Sequence, residues 1–125
     1  SCVPIFTQRA GIAALESCKT DLISNRETLL DRADTFIEII NQSKHIDCHS
    51  SDIGLYAFPK INCENISADE IANILLQENG IACVPGSAFG GLSIDHLRFS
   101  MNQPKNLLID IANEIVLTLD KVCSF

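Results

Sequence analysis

Ile81-Ala82-Cys83-Val84-Pro85-Gly86-Ser87-Ala88-Phe89-Gly90-Gly91-Leu92-Ser93-Ile94-Asp95-His96-Leu97-Arg98-Phe99-Ser100-Met101 is the stretch on which the fold class turns. Ile81 to Val84 is a short apolar run bounded by breakers, the pattern of a buried strand, and Cys83 serves there as a small hydrophobe. Pro85-Gly86-Ser87 ends it, and a glycine-rich loop continues through Gly90-Gly91. From His96 to Met101 the period is two. Leu97, Phe99 and Met101 take one face, and His96, Arg98 and Ser100 take the other. Two strands joined by a loop therefore stand in the second half of the chain.

Upstream of this stretch, Ser67-Ala68-Asp69-Glu70 is a capping box, with serine at the cap and glutamate three residues on. Ile71, Ile74 and Leu75 predict a short helix that stops at Asn79-Gly80, a left-handed C-terminal signal. Asp52 to Pro59 carries the apolar run Ile53-Gly54-Leu55-Tyr56-Ala57-Phe58 and predicts a third strand. Ser24-Asn25-Arg26-Glu27 reads as another capping box, opening a helix to about Gln42 whose buried stripe is Leu29, Leu30, Ala33, Phe36, Ile37 and Ile40. Residues 4–17 predict a first helix beginning at Pro4. Downstream, Pro104 opens a last helix that buries Leu108, Ala112, Ile115 and Leu119. The predicted architecture is an α/β, two-layer domain in which a three- to four-stranded sheet is covered by helices.

Composition narrows the function. The 125 residues suit one domain and bury a real core. An apolar fraction of 46% and a charged fraction of 20% exclude a disordered tail. Nine basic against 16 acidic residues give a net charge of −7, which argues against a nucleic-acid reader. No apolar run is long enough to span a membrane. A start at Ser1 and the absence of a basic-then-apolar leader predict a processed or excised piece of a cytoplasmic protein. Its six cysteines are accordingly expected to be reduced, and the sequons at Asn41 and Asn65 to be without meaning.

Few residues offer chemistry. Between Ile61 and Leu97 there are five acids and no Lys or Arg, and then Arg98 appears inside a strand. Arginine recognises carboxylates through a rigid fork of donors. The bland alternative is a solvent-facing arginine, or one paired with Asp95. The loop 85–91 either lines a ligand pocket or merely connects two strands. It is not a phosphate loop, because the Gly-x-x-x-x-Gly-Lys spacing is missing. Tyr56, the only tyrosine, is expected to pack in the core. His45, Cys48 and His49, with Cys63 further on, are metal-ligand types, but no CxxC completes a set and a polar loop is expected, with no metal. No Ser-His-Asp or Cys-His arrangement is supported by spacing.

Together these pieces resemble a known pattern. Ile81 to Gly90 followed by His96-Leu97-Arg98-Phe99-Ser100 resembles the C-terminal signature of class I/II pyridoxal-phosphate aminotransferases, a Pro-Gly-x-x-Phe-Gly loop before a strand with Arg-x-Ser. Gly54-Leu55-Tyr56-Ala57-Phe58-Pro59 resembles that family's Gly-x-Tyr/Phe strand, and Ser1 to Ala10 resembles the exit from its large cofactor domain. The resemblance implies the small domain of a fold type I enzyme over residues 23–125, with 1–22 bridging to a large domain. It further implies that Arg98 grips the substrate α-carboxylate, with Phe89 and Ser87 near the mouth of the site. Pyridoxal phosphate, its Schiff-base lysine and all catalytic residues would belong to the large domain, since none of Lys19, Lys44, Lys60, Lys105 and Lys121 stands in the family's lysine context. The whole enzyme would be a homodimer exchanging the amino group of an amino acid, aspartate above all, with a 2-oxo acid. This chain alone would be inactive. The competing readings are a stand-alone module that binds small carboxylates or a partner, and a degenerate homologue.

Overall fold

A computed structural model describes residues 2–50 and 55–124. The predicted strand residues Asp52, Ile53 and Gly54, and also Ser1, lie outside them.

Helix α1 (Ile5–Ser17) has no buried residue, and Phe6 and Leu15 are 73% and 78% exposed. Helix α2 (Lys19–Ile40) follows after Cys18 alone. The Cys18 amide donates to the Ala14 carbonyl at 3.2 Å and the Leu22 amide to the Cys18 carbonyl at 3.0 Å, so helical bonding crosses the junction. That corrects the expected start at Ser24. The backbone amides there already have helical acceptors, and the Ser24 carbonyl accepts the Thr28 hydroxyl at 2.9 Å inside the helix. The expected stripe is realised by Ala33, Phe36, Ile37 and Ile40, while Leu29 and Leu30 are half-buried.

Helix α3 (Ala68–Asn79) carries its capping box. The Glu70 amide donates to the Ser67 hydroxyl at 3.2 Å, and the Ser67 amide donates to the Glu70 carboxylate at 3.0 Å. Gly80 closes the helix at φ 68°, where a side chain would be strained. Helix α4 (Lys105–Val122) buries Leu108, Ala112, Ile115 and Leu119, as its spacing predicts, and packs along α2.

The described residues form five strands, all short. β1 (Ile46–Asp47) pairs antiparallel with β3 (Lys60–Ile61). β2 (Tyr56–Ala57) and β4 (Val84–Pro85) flank β5 (Leu97–Ser100), both antiparallel, in the order β2-β5-β4. The predicted strands 52–59 and 96–101 therefore share one sheet, in the register Tyr56↔Ser100 and Ala57↔Phe99. A bridge between Lys60 and His96 joins the two sheets. The helices cover one face, where Phe99 meets Phe36 at 5.5 Å between ring centroids and Leu97 and Met101 are fully buried. Among the described residues, four helices and small sheets make the expected α/β class.

The cysteines depart from expectation. Cys63 and Cys123 form a disulfide across 60 residues of sequence, with Cα atoms 5.5 Å apart. Neither spacing nor composition shows such a pairing, because it depends on the end of α4 lying beside the segment after β3. Cys2, Cys18, Cys48 and Cys83 are free.

Candidate functional site

The in-out alternation of β5 sends Leu97 and Phe99 into the core and leaves Arg98 on the open face of the sheet. Continuing the β2–β5 register places Phe58 opposite Arg98 and Tyr56 on its diagonal, within reach of a long side chain. The Arg98 guanidinium carbon lies 4.5 Å from the Tyr56 ring centroid and 4.9 Å from that of Phe89. Tyr56 is thus 45% exposed and not a core residue. The sequence signal for this was the alternation of Tyr56 and Phe58 against Ala57 and Pro59, which the single reading of a buried run overlooks.

Phe89 reaches the sheet because the loop folds back tightly. Gly86–Phe89 and Gly91–Ser93 are 3-10 turns. The Gly86 amide donates to the His96 carbonyl at 2.7 Å. A Cβ on Gly86 would overlap the Ser93 carbonyl oxygen and lie 2.9 Å from that of His96, so only glycine admits this approach. Phe89 meets Phe58 edge-on at 5.7 Å, and Phe58 stacks on His96 at 4.9 Å. Tyr56, Phe58, Phe89 and Arg98 line an open cavity of about 320 Å³. Ser87, in contrast, turns away from it. Its hydroxyl donates to the Asp69 carboxylate in the first turn of α3 at 2.7 Å. The loop is therefore anchored to α3 by Ser87 and presents Phe89 to Arg98.

Arg98 is half-buried and has no carboxylate or other hydrogen-bond acceptor among the described residues. Aromatic rings hold a guanidinium by cation–π attraction worth roughly 0.5–2 kcal/mol, and this spends no N–H donor. Asp95, the alternative partner, is engaged elsewhere. Its carboxylate binds His96 Nδ1 at 2.6 Å and Lys60 Nζ at 3.4 Å. Desolvation pushes its carboxyl upward, but the His96 hydrogen bond and the remaining contacts outweigh it and hold the group below the usual carboxylate range. Beside Arg98, burial pushes the Cys83 thiol up to about 11, which leaves it protonated and unsuited to nucleophilic attack.

The His45, Cys48 and His49 cluster does not assemble. Cys48 is buried, its backbone held by the Asn41 side chain through two bonds of 2.9 Å, and the His49 side chain is 94% exposed. His45 turns instead toward Cys63 and Cys123. None of the five lysines lines the Arg98 cavity, and Lys60, Lys105 and Lys121 pair with Asp95, Asp31 and Glu78.

Residues 1–115 match the sequence model of the aminotransferase class I and II family. The chain is 33% identical over 95 residues to an aspartate/prephenate aminotransferase of Cereibacter sphaeroides, covering 68% of this chain and 24% of that protein. It is 31% identical over 98 residues to an arginine–pyruvate transaminase of Pseudomonas aeruginosa, covering 78% and 25%. Among solved structures, an aspartate aminotransferase from Rhizobium meliloti superimposes with a TM-score of 0.83 at 23% identity, covering 96% of this chain and 32% of that one, a likeness of fold. The chain thus spans about a quarter of the length of the curated relatives it matches.

Proposed function

The chain belongs to the aminotransferase class I and II family, and from that premise we propose that it supplies the substrate-carboxylate clamp of a pyridoxal-phosphate-dependent aminotransferase. The observation that carries this is Arg98. A half-buried guanidinium fixed between Tyr56 and Phe89 with its donors unspent is built to take a planar, two-oxygen anion. Residues 23–125 are the small domain in this reading, and 1–22 bridge to a large domain. The bare apolar side chains of α1, Ile5, Phe6, Ile12 and Leu15, support that bridge, since a helix with no buried face needs a neighbour.

The contribution of this chain is binding and orientation. Arg98 fixes the α-carboxylate at two points, which limits how the amino acid rotates. Phe89 and Phe58 give the ion pair apolar neighbours on the open face, which lowers the local dielectric and strengthens it. Ser87 serves by anchoring the loop that carries Phe89. Bound by other residues of the enzyme, the cofactor would supply the electron sink for amino-group transfer. The α-carboxylate is common to every amino acid, so Arg98 serves the substrate class as a whole. Aspartate is the proposed donor, a 2-oxo acid the acceptor, and a cytoplasmic homodimer the working form. The isolated chain would be inactive.

The test is steady-state kinetics on the longer enzyme carrying Arg98→Ala, with cofactor occupancy read by absorbance. Hydrogen bonds to charged groups contribute roughly 1.5–3 kcal/mol each, so kcat/KM should fall by about tenfold to several-hundredfold. Arg98→Lys should restore little, because an ammonium lacks the fork. An unchanged kcat/KM at full occupancy would reduce Arg98 to a residue of the sheet surface. Turnover by the isolated chain would refute the division of labour.

A further inference from the structure

Away from the Arg98 cavity, and sharing no lining residue with it, a second cavity of about 300 Å³ opens beside the disulfide. His45, Asn62, Cys63, Glu64 and Cys123 line it. A ring nitrogen of His45 and the sulfurs of Cys63 and Cys123 all lie within 4.8 Å of one another. The His45 ring is more than nine-tenths buried. Its Nδ1 stands 3.5 Å from the Asn62 carbonyl, and its Nε2 is buried without a hydrogen-bond partner among the described residues. A buried ring nitrogen left unpartnered calls for a group that is absent from the protein itself. The histidine is held firmly in place. The Asn62 amide donates to its carbonyl at 2.8 Å, and its own amide donates to the Ser43 hydroxyl at 3.3 Å, which in turn donates to Asp120 on α4 at 2.6 Å.

We propose that reduction of the Cys63–Cys123 disulfide turns this cluster into a binding site for one zinc-class divalent cation, held by the two thiolates and His45. Two sulfurs and an imidazole nitrogen are the donor set that such a cation selects over harder ones. Tetrahedral binding at about 2.3 Å to sulfur and about 2.0 Å to nitrogen puts the ligand atoms roughly 3.6–3.8 Å apart. The two sulfurs, bonded to each other in the oxidised chain, part to that separation once the bond is reduced, His45 already lies within 4.8 Å of both, and the adjoining cavity admits a water or the Glu64 carboxylate as fourth ligand. The two states exclude each other. A dithiol reductant delivers two electrons and two protons to the S–S bond, which breaks to two thiols while the reductant closes to its own disulfide. The cation then displaces the two thiol protons into solvent and takes a lone pair from each sulfur and from His45. The site thus reports redox state through the junction between the segment after β3 and the end of α4.

The experiment titrates the chain with cobalt(II), a coloured stand-in for zinc, after dithiol reduction and anaerobic removal of the dithiol. The reduced chain should bind one cobalt per chain with thiolate-to-cobalt charge-transfer absorption and tetrahedral visible bands, and one equivalent of zinc should abolish them. The oxidised chain should show neither. His45→Gln should weaken binding at least tenfold with the charge-transfer bands retained. A Cys63→Ser/Cys123→Ser double variant, its fold checked by circular dichroism, should lose the bands. Comparing oxidised with reduced wild type needs no substitution, so the proposal stays exposed even if a variant misfolds. Failure of the reduced chain to bind cobalt at tens of micromolar overturns it. Equal binding by the oxidised chain, or by the double variant with its four remaining cysteines, does so as well.

Discussion

Replacing Gly86 by alanine tests the tight return of the loop onto the sheet. Its φ is not positive, so the penalty is one of space and not of backbone conformation. The added Cβ would overlap the Ser93 carbonyl oxygen and crowd the His96 carbonyl oxygen at 2.9 Å. Both obstacles are backbone, which cannot swing aside like a side-chain tip. Overpacking of this kind costs roughly 1–3 kcal/mol. Relieving it pulls the Gly86 amide away from its 2.7 Å bond to His96, and an unsatisfied buried pair adds roughly 1–3 kcal/mol. A loss of about 3 kcal/mol is a large part of the 5–15 kcal/mol typical of a domain. Urea unfolding followed by far-UV circular dichroism should show the midpoint falling by about 1.5 M at a slope near 2 kcal/mol per molar. Gly91→Ala is the control. A Cβ there meets nothing within 4 Å and its φ is ordinary, so its stability should stay within about 0.5 kcal/mol of the parent. If Gly86→Ala unfolds with its control, the loop is free to relax and the account of how Phe89 is placed fails.

Ser67→Ala should cost about 1 kcal/mol in the same assay, since the hydroxyl that accepts the Glu70 amide is lost while the backbone amide of residue 67 can still donate to the Glu70 carboxylate. Hydrogen bonds from the Ser67 amide and then its hydroxyl hold the Glu70 carboxyl below its usual value, so the unfolded chain binds the proton more readily. The stabilisation is full above about pH 5 and is lost as pH falls through the lower folded value, so the gap between parent and Ser67→Ala should narrow in acid. Reducing Cys63–Cys123 in the presence of a chelator should lower stability by roughly 2–4 kcal/mol, because the bond closes a loop of 60 residues. An unchanged urea midpoint would mean that the bridge adds nothing to the fold.

What was legible in the sequence was local. The buried stripe of α4, the capping box and Gly80 of α3, and the alternation that turns Arg98 away from Leu97 and Phe99 each rest on a few neighbouring residues with one period. The misreadings needed information from elsewhere in the chain. Ser24-Asn25-Arg26-Glu27 has the form of a helix start, yet a helix already arriving through Cys18 leaves no orphan amides to cap. Two-residue strands such as β1 and β3 are too short to display a period at all. The side taken by Tyr56 depends on its register with Ser100, and the meeting of Cys63, Cys123 and His45 depends on three separate segments converging.

The electrostatics of the Arg98 face follow from the same placement. The chain carries an excess of seven negative charges, and the stretch from Ile61 to Leu97 holds five acids and no Lys or Arg. An arginine there would ordinarily be neutralised by a neighbour, and Asp95 is three residues away. The structure removes that neighbour by giving it two others. His96 and Lys60 take one oxygen each of Asp95, and stacking on Phe58 holds the His96 ring in place. Phe58 in turn braces Phe89, which lies against Arg98. One run of contacts therefore occupies the competing carboxylate and walls the guanidinium with aromatic carbon. On the proposed reading, an incoming carboxylate would meet a cation whose counter-ion has been withdrawn. Disrupting Phe58 would loosen both ends of that arrangement at once, freeing His96 from its stack and Phe89 from its brace. Loss of substrate affinity in a Phe58→Ala variant would thus be expected although Phe58 itself offers the substrate no polar contact.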